Sequence, residues 1–139
     1  MAISQAMATS FKAEILDEQH DLVADTLKIA LYTSSASLGA TTTAYSATNE
    51  VANGSGYATG GVTLTNKAVS TSGTTAYFDA DDPTWTSASF TANGALIYNS
   101  TNGDKAIAIL AFGGDFTVSS GTFRIVFPAA GANAIVTIA

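Results

Sequence analysis

The sequence predicts an all-β protein, a jelly-roll-like β-sandwich of about eight strands with one short N-terminal helix. Three observations carry that expectation. Apolar alternation at period two recurs along the chain, turn residues punctuate it at short intervals, and only the first twenty residues show a helical spacing. The 139 residues suit one domain with a real core; 47% are apolar and only 12% charged, which excludes wholesale disorder.

Residues 1–9 read as a flexible arm. A helix is expected over 10–20, with Ser10 as its cap, Phe11 and Ile15 as an i, i+4 apolar pair, and Glu14, Asp17 and Glu18 on the other faces. So short a helix must dock on something. The sandwich is expected over 26–139. In "TLKIALYT" from Thr26, Leu27, Ile29 and Leu31 face one way and Lys28, Ala30 and Tyr32 the other. From Ser34 to Gly61 no apolar alternation is sustained, and a loop of that length in a compact domain is usually functional.

Further strands are expected at "VTLTN" from Val62, "TAYFDA" from Thr75, "TWTSASFTA" from Thr84 and "GALIYN" from Gly94. "KAIAILAF" from Lys105, "TFRIVFP" from Thr122 and "AIVTIA" from Ala134 complete the set. Turns are expected at Ser72-Gly73, Asp82-Pro83, Asn93-Gly94, Asn102-Gly103, Gly113-Gly114 and Ser120-Gly121. Ala106–Phe112 is apolar on both faces and reads as a covered central strand, whereas Phe123, Ile125 and Phe127 place one face of theirs on the core.

Charge narrows the function. A net charge of −6 opposes a phosphate backbone, and Lys12, Lys28, Lys67, Lys105 and Arg124 are too scattered to form a basic stripe, so no nucleic-acid partner is expected. The absence of cysteine removes disulfides and thiolate metal sites and leaves the redox compartment open. No apolar run approaches the ~20 residues of a membrane span, and no signal peptide is legible. A soluble protein made in a cytoplasm, without a membrane partner, is expected.

"GSGYATGG" (54–61) resembles a phosphate cradle, but its third glycine comes one place late, no lysine follows, and a strand stands where the helix should be. Positive-φ turns or close backbone packing explain those glycines better. His20 is the one histidine, so histidine-dependent acid–base chemistry would run through it; it lacks a nucleophile partner and reads as a helix-end residue. Asp79, Asp81 and Asp82 would suit a hard cation, but their spacing matches no EF-hand, and a solvated turn before Pro83 is the plainer account. Glu50 with one of several aspartates could form a glycosidase pair, though eleven acids give that signal no specificity. Trp85 and tyrosines 32, 45, 57, 77 and 98 could stack on sugars, yet strand aromatics are more often core. No catalytic residues, metal ligands or cofactors are expected.

The order of "KIALYTSSASLGATTTAYSATNE", "GYATGG" and "GALIYN", within longer matching stretches from Phe11 to the C-terminus, resembles a family of small virion proteins of tailed bacteriophages. At least some of its members are capsid cement, or decoration, proteins with a jelly-roll fold. The resemblance implies a non-enzymatic structural protein on the capsid exterior, made in the host bacterial cytoplasm. Its partners would be the phage major capsid protein and further copies of itself, as a dimer or trimer at local symmetry axes. The N-terminal segment Met1–His20 and the loop Ser34–Gly61 become the expected contact elements, with Phe11, Ile15, Leu38, Tyr45, Glu50 and Tyr57 as the interface residues. A receptor- or glycan-binding module of a tail or fibre is the alternative.

Overall fold

A computed structural model describes residues 2–139 and holds two antiparallel sheets and one short helix, an all-β sandwich-like fold as expected. The strands are β1 (Ala6–Met7), β2 (Leu27–Tyr32), β3 (Val62–Thr63), β4 (Ala68–Ser72), β5 (Thr75–Asp79), β6 (Thr84–Asn99), β7 (Lys105–Arg124) and β8 (Val136–Ile138); α1 spans Thr9–Leu16. The larger sheet runs β1-β7-β6-β2-β3 and the smaller one β4-β5-β8.

β2 lies inside the larger sheet, paired with β6 from Leu27↔Asn99 to Tyr32↔Gly94 and with β3 through Ile29↔Val62. Leu27, Ile29 and Leu31 are buried as their alternation requires, but Ala30 and Tyr32 on the opposite face are buried too. The long loop folds over that second face. Ala106–Ile109 of β7 is likewise buried on both faces, and the covering thins from Leu110 onward.

Three expectations are corrected. Residues 1–9 are not a free arm: β1 pairs with Ala108 and Ile109, and the Ser4 amide donates to the Leu38 carbonyl at 2.9 Å. Met1 of that arm lies outside the described residues. The helix starts one residue earlier than its expected cap and ends four residues sooner than expected. Ala8 occupies the cap position without a side-chain bond, and the Ser10 hydroxyl is buried without a partner. At the other end Glu18 adopts φ +59°, and the Gln19 amide donates back to the Glu14 carbonyl at 2.9 Å, a Schellman-type stop that redirects the chain.

The third correction concerns turns. Asn93-Gly94, Gly113-Gly114 and Ser120-Gly121 lie within strands, so that "TWTSASFTA" and "GALIYN" form one strand, while "KAIAILAF" begins another that ends on Thr122-Phe123-Arg124, leaving the rest of "TFRIVFP" outside it. The same residues that make hairpins also make bulges. Between Gly94↔Ala111 and Ala92↔Phe116, Asn93 stands opposite the four residues 112–115, with Gly113 at φ +80°. Asn93 closes the gap by donating from Nδ2 to Asp115 at 2.9 Å. β4 was not expected as a strand at all; its partner register with β5 closes at Ser72↔Thr75, around the Gly73 turn that was.

Beyond Gly94 and Ala111, β6 and β7 pair only with each other and form a two-stranded ribbon, an arrangement marginal by itself. Aromatic packing steadies it. Trp85 and Phe123 meet edge-on at 5.9 Å, and Phe90 lies 5.2 Å from Phe123. At the ribbon's start Asp82 holds two elements: its carboxylate accepts from Arg124 Nη2 at 2.7 Å and from the Phe127 amide at 2.8 Å. The acidic turn is therefore a tether, and Asp81 instead accepts from Asn66 and Thr65.

Candidate interaction surfaces

Three of the six expected interface residues converge, but on each other. Glu50 accepts from the Tyr45 hydroxyl at 2.6 Å, from the Tyr57 hydroxyl at 2.5 Å and from the Gly60 amide at 2.7 Å. Tyr57 also accepts from the Leu31 amide at 2.9 Å, so its oxygen joins the loop to β2. Tyr98 donates to the Gly60 carbonyl at 2.7 Å and stacks on Tyr45 with centroids 4.6 Å apart. One carboxylate thus fixes the middle and the C-terminal end of a long loop by charge-assisted bonds, which are about twice as strong as neutral ones.

The electrostatics follow from that geometry. Burial, then the nearness of Glu50, pushes the phenols of Tyr32, Tyr45 and Tyr57 well above their ordinary range, with bonds donated to Glu50 adding to the shift in Tyr45 and Tyr57. Tyr98 is pushed up to about 12, chiefly by burial and then by Asp104 and Glu50. A phenolate beside the half-buried Glu50 carboxylate would set like charges next to each other at a partly desolvated site.

The glycine-rich stretch is built by the same hub. Gly54 and Tyr57 exchange both backbone hydrogen bonds around Ser55-Gly56, whose φ values of +52° and +90° make a hairpin turn. A Cβ at Gly61 would lie 1.8 Å from the Ile29 carbonyl oxygen, so glycine alone fits there. The Gly60 amide that might have cradled a phosphate is taken by Glu50.

Placement corrects several interface assignments. Phe11 is the buried residue of α1, and Tyr57 is buried between Trp85 and Phe90, 6.4 Å and 5.9 Å away, so both are core residues of their own chain. Glu50 and Tyr45 are spent on the loop. Leu38 is half-buried and bridges to Ile3, and Ile15 is half-buried beside an open groove. Trp85, Tyr32 and Tyr98 are buried as well, so they offer no sugar-stacking platform.

His20 is also internal. Its Nε2 lies 3.0 Å from Glu14 and its Nδ1 3.0 Å from Asn99 Nδ2. Asn99 Oδ1 accepts from the amides of Thr101 and Asn102, which fixes the amide's orientation and makes Nδ2 the donor to His20. That assigns the ring proton to Nε2, donated to Glu14. The second Nδ2 hydrogen goes to Asp25 at 2.7 Å, and this bond, then one from the Asp21 amide, holds the Asp25 carboxyl below its usual range. Asn99 is wholly buried and fully satisfied, and it ties the chain after α1 to the β6–β7 turn. Nothing in its local pattern marked it in advance.

The open apolar surface lies elsewhere, in two grooves that share no residue. The first, about 590 Å³, runs between Ile15–Val23 and the face of the smaller sheet formed by Val69, Phe78, Val136 and Ile138. Val23, Val69 and Ile138 are about half exposed there. The second, about 460 Å³, lies along the outer ribbon, where Phe112, Phe116, Phe123 and Val126 gather. Phe116 is 54% and Val126 72% exposed, high for large apolar side chains. Sequence reasoning missed both; Val69 was readable in principle, since Ser72-Gly73 followed by a strand implies a hairpin partner upstream.

Among the described residues no three histidine, aspartate or glutamate side chains converge as metal ligands would, and no helix is long and apolar enough to cross a membrane. No protein-family description, curated protein or solved structure matches the chain, so its chemistry must be read from these surfaces.

Proposed function

We propose that the chain is a capsid cement, or decoration, protein of a tailed bacteriophage, which binds the outside of the major capsid protein lattice and bridges neighbouring capsomers. The two separate apolar grooves on one small acidic sandwich support this reading most directly. A bridge needs two faces, and two modest contacts held by one body reinforce each other through effective concentration. The Glu50 hub supports it too, because a loop of nearly thirty residues pinned to the sheet gives a stiff body rather than a tether. A negative net charge keeps such a protein soluble before assembly and away from packaged genome.

In this reading the protein resides on the virion exterior, after synthesis in the host cytoplasm, and many copies act together at local symmetry axes. Purified protein mixed with undecorated heads at near-physiological salt should co-sediment with them and appear as added density outside the capsid shell. Heads that stay bare would end the proposal. Glycan or host-cell binding without head binding would instead move the function to a tail or fibre module.

A further inference from the structure

We infer that the groove between α1 and the smaller sheet accepts an amphipathic segment of a second protein, one that inserts apolar side chains and sets lysine or arginine against Glu18 and Asp21. Taking the bridging reading as its starting point, the inference adds the chemistry of one contact.

Two observations carry it. By register, Val69, Ala76, Phe78, Val136 and Ile138 share one face of the smaller sheet. Phe78 and Val136 are buried, while Val69 and Ile138 are 54% and 56% exposed, so the apolar face continues past the part that its own chain covers. The charged groups at this opening are all of one sign. Glu18 and Asp21 line it, and neither forms an ion pair among the described residues. His20 also lines the groove, but its two nitrogens face Glu14 and Asn99.

The placement of Glu18 sharpens the point. It occupies the left-handed position after the helix, where glycine sits without strain and a glutamate does not. An apolar slot rimmed by unpaired carboxylates favours a cationic amphipath and disfavours nucleic acid or another acidic surface. A second copy of this chain is a poor occupant, because it brings a charge of −6 and scattered lysines.

The full chain, isotope-labelled for NMR, is titrated at near-physiological salt with a short peptide alternating lysine and leucine, and with its glutamate–leucine counterpart. The basic peptide should bind and shift the amides of Val23, Val69 and Ile138. The acidic peptide should not bind. The pair Glu18→Gln with Asp21→Asn should weaken binding about tenfold, whereas Asp81→Asn with Asp115→Asn, an equal change in net charge, should leave it unchanged. Asn at 21 keeps the oxygen that accepts from Val23 and Ala24, so the turn survives. No binding, equal binding of both peptides, equal weakening by both double variants, or a footprint elsewhere would each overturn the inference. Those failures leave wild-type head binding as it was, and bare heads leave the peptide result as it was, so the two readings fall separately.

Discussion

The Tyr57 hydroxyl donates to Glu50 across 2.5 Å while accepting from the Leu31 amide at 2.9 Å. One phenol thereby connects β2 to the carboxylate that organises the long loop, and its ring reaches Trp85 and Phe90 of the outer ribbon. Three parts of the molecule converge on a single side chain.

Replacing Glu50 tests that convergence. Glu50→Gln keeps the shape but supplies one acceptor oxygen and two donors where three donors point inward. The expected loss is about 1–3 kcal/mol of unfolding free energy, read from urea titration. Tyr57→Phe keeps the ring packing, loses both hydrogen bonds of the oxygen, and should cost about 1–2 kcal/mol. Equal stability in Glu50→Gln and wild type would show that the hub contributes nothing.

The phenols predict an alkaline limit. An unfolded tyrosine loses its proton near pH 10, whereas Tyr32, Tyr45, Tyr57 and Tyr98 hold theirs to higher pH in the fold. Their contribution to stability is complete below about pH 10 and falls as pH rises past it, because the unfolded chain then binds fewer protons. Phenolate absorbance should therefore appear together with loss of near-ultraviolet circular dichroism. Gradual ionisation of these four near pH 10 with the fold intact would contradict the buried geometry.

At the acid end the sign reverses. Asp82 is held below the usual carboxylate range, first by its bond from Arg124 and then by the Phe127 amide, and Asp25 is lowered through Asn99. Their stabilising contribution is present above about pH 4 and is lost as pH falls through the depressed native values. Asp82→Asn should flatten the fall of the urea midpoint between neutral pH and strong acid. An unchanged slope would show that the Arg124 tether is energetically idle.

Glu18→Gly should separate folding from binding. Removing the side chain relieves a left-handed residue and should stabilise the chain by about 1 kcal/mol. The same change deletes one of two acids at the groove, so the basic peptide should bind less tightly to a more stable protein. A destabilised variant would mean that the glutamate contributes contacts that outweigh its backbone strain.

Much of the fold was legible because period-two alternation is a direct consequence of strand geometry: it located β2 and β5, and the burial of Phe123, Ile125 and Phe127 alternates with their exposed neighbours even where the strand has ended at Arg124. The merged strands were not, since Asn93-Gly94 and Gly113-Gly114 carry the same local signature in a bulge as in a hairpin. Tyr45, Glu50 and Tyr57 stood out in the long loop, but a sequence does not say whether an aromatic faces inward. The grooves were the least legible. Val23, Val69 and Ile138 come from segments far apart in the chain, and only the sheet order makes them neighbours.

The bulge opposite Asn93 has a mechanical consequence. It interrupts the β6–β7 ladder where the five-stranded sheet gives way to the two-stranded ribbon, with glycines at 94, 113 and 114 around the break. Tension along the strands loads the ribbon's rungs in parallel, so they resist together, while a sideways pull opens them in sequence from the end tied by Asp82 and Arg124. A molecule held at Phe116 and Val126 would thus resist a pull in one direction and yield to it in another, so the direction of the load decides the response.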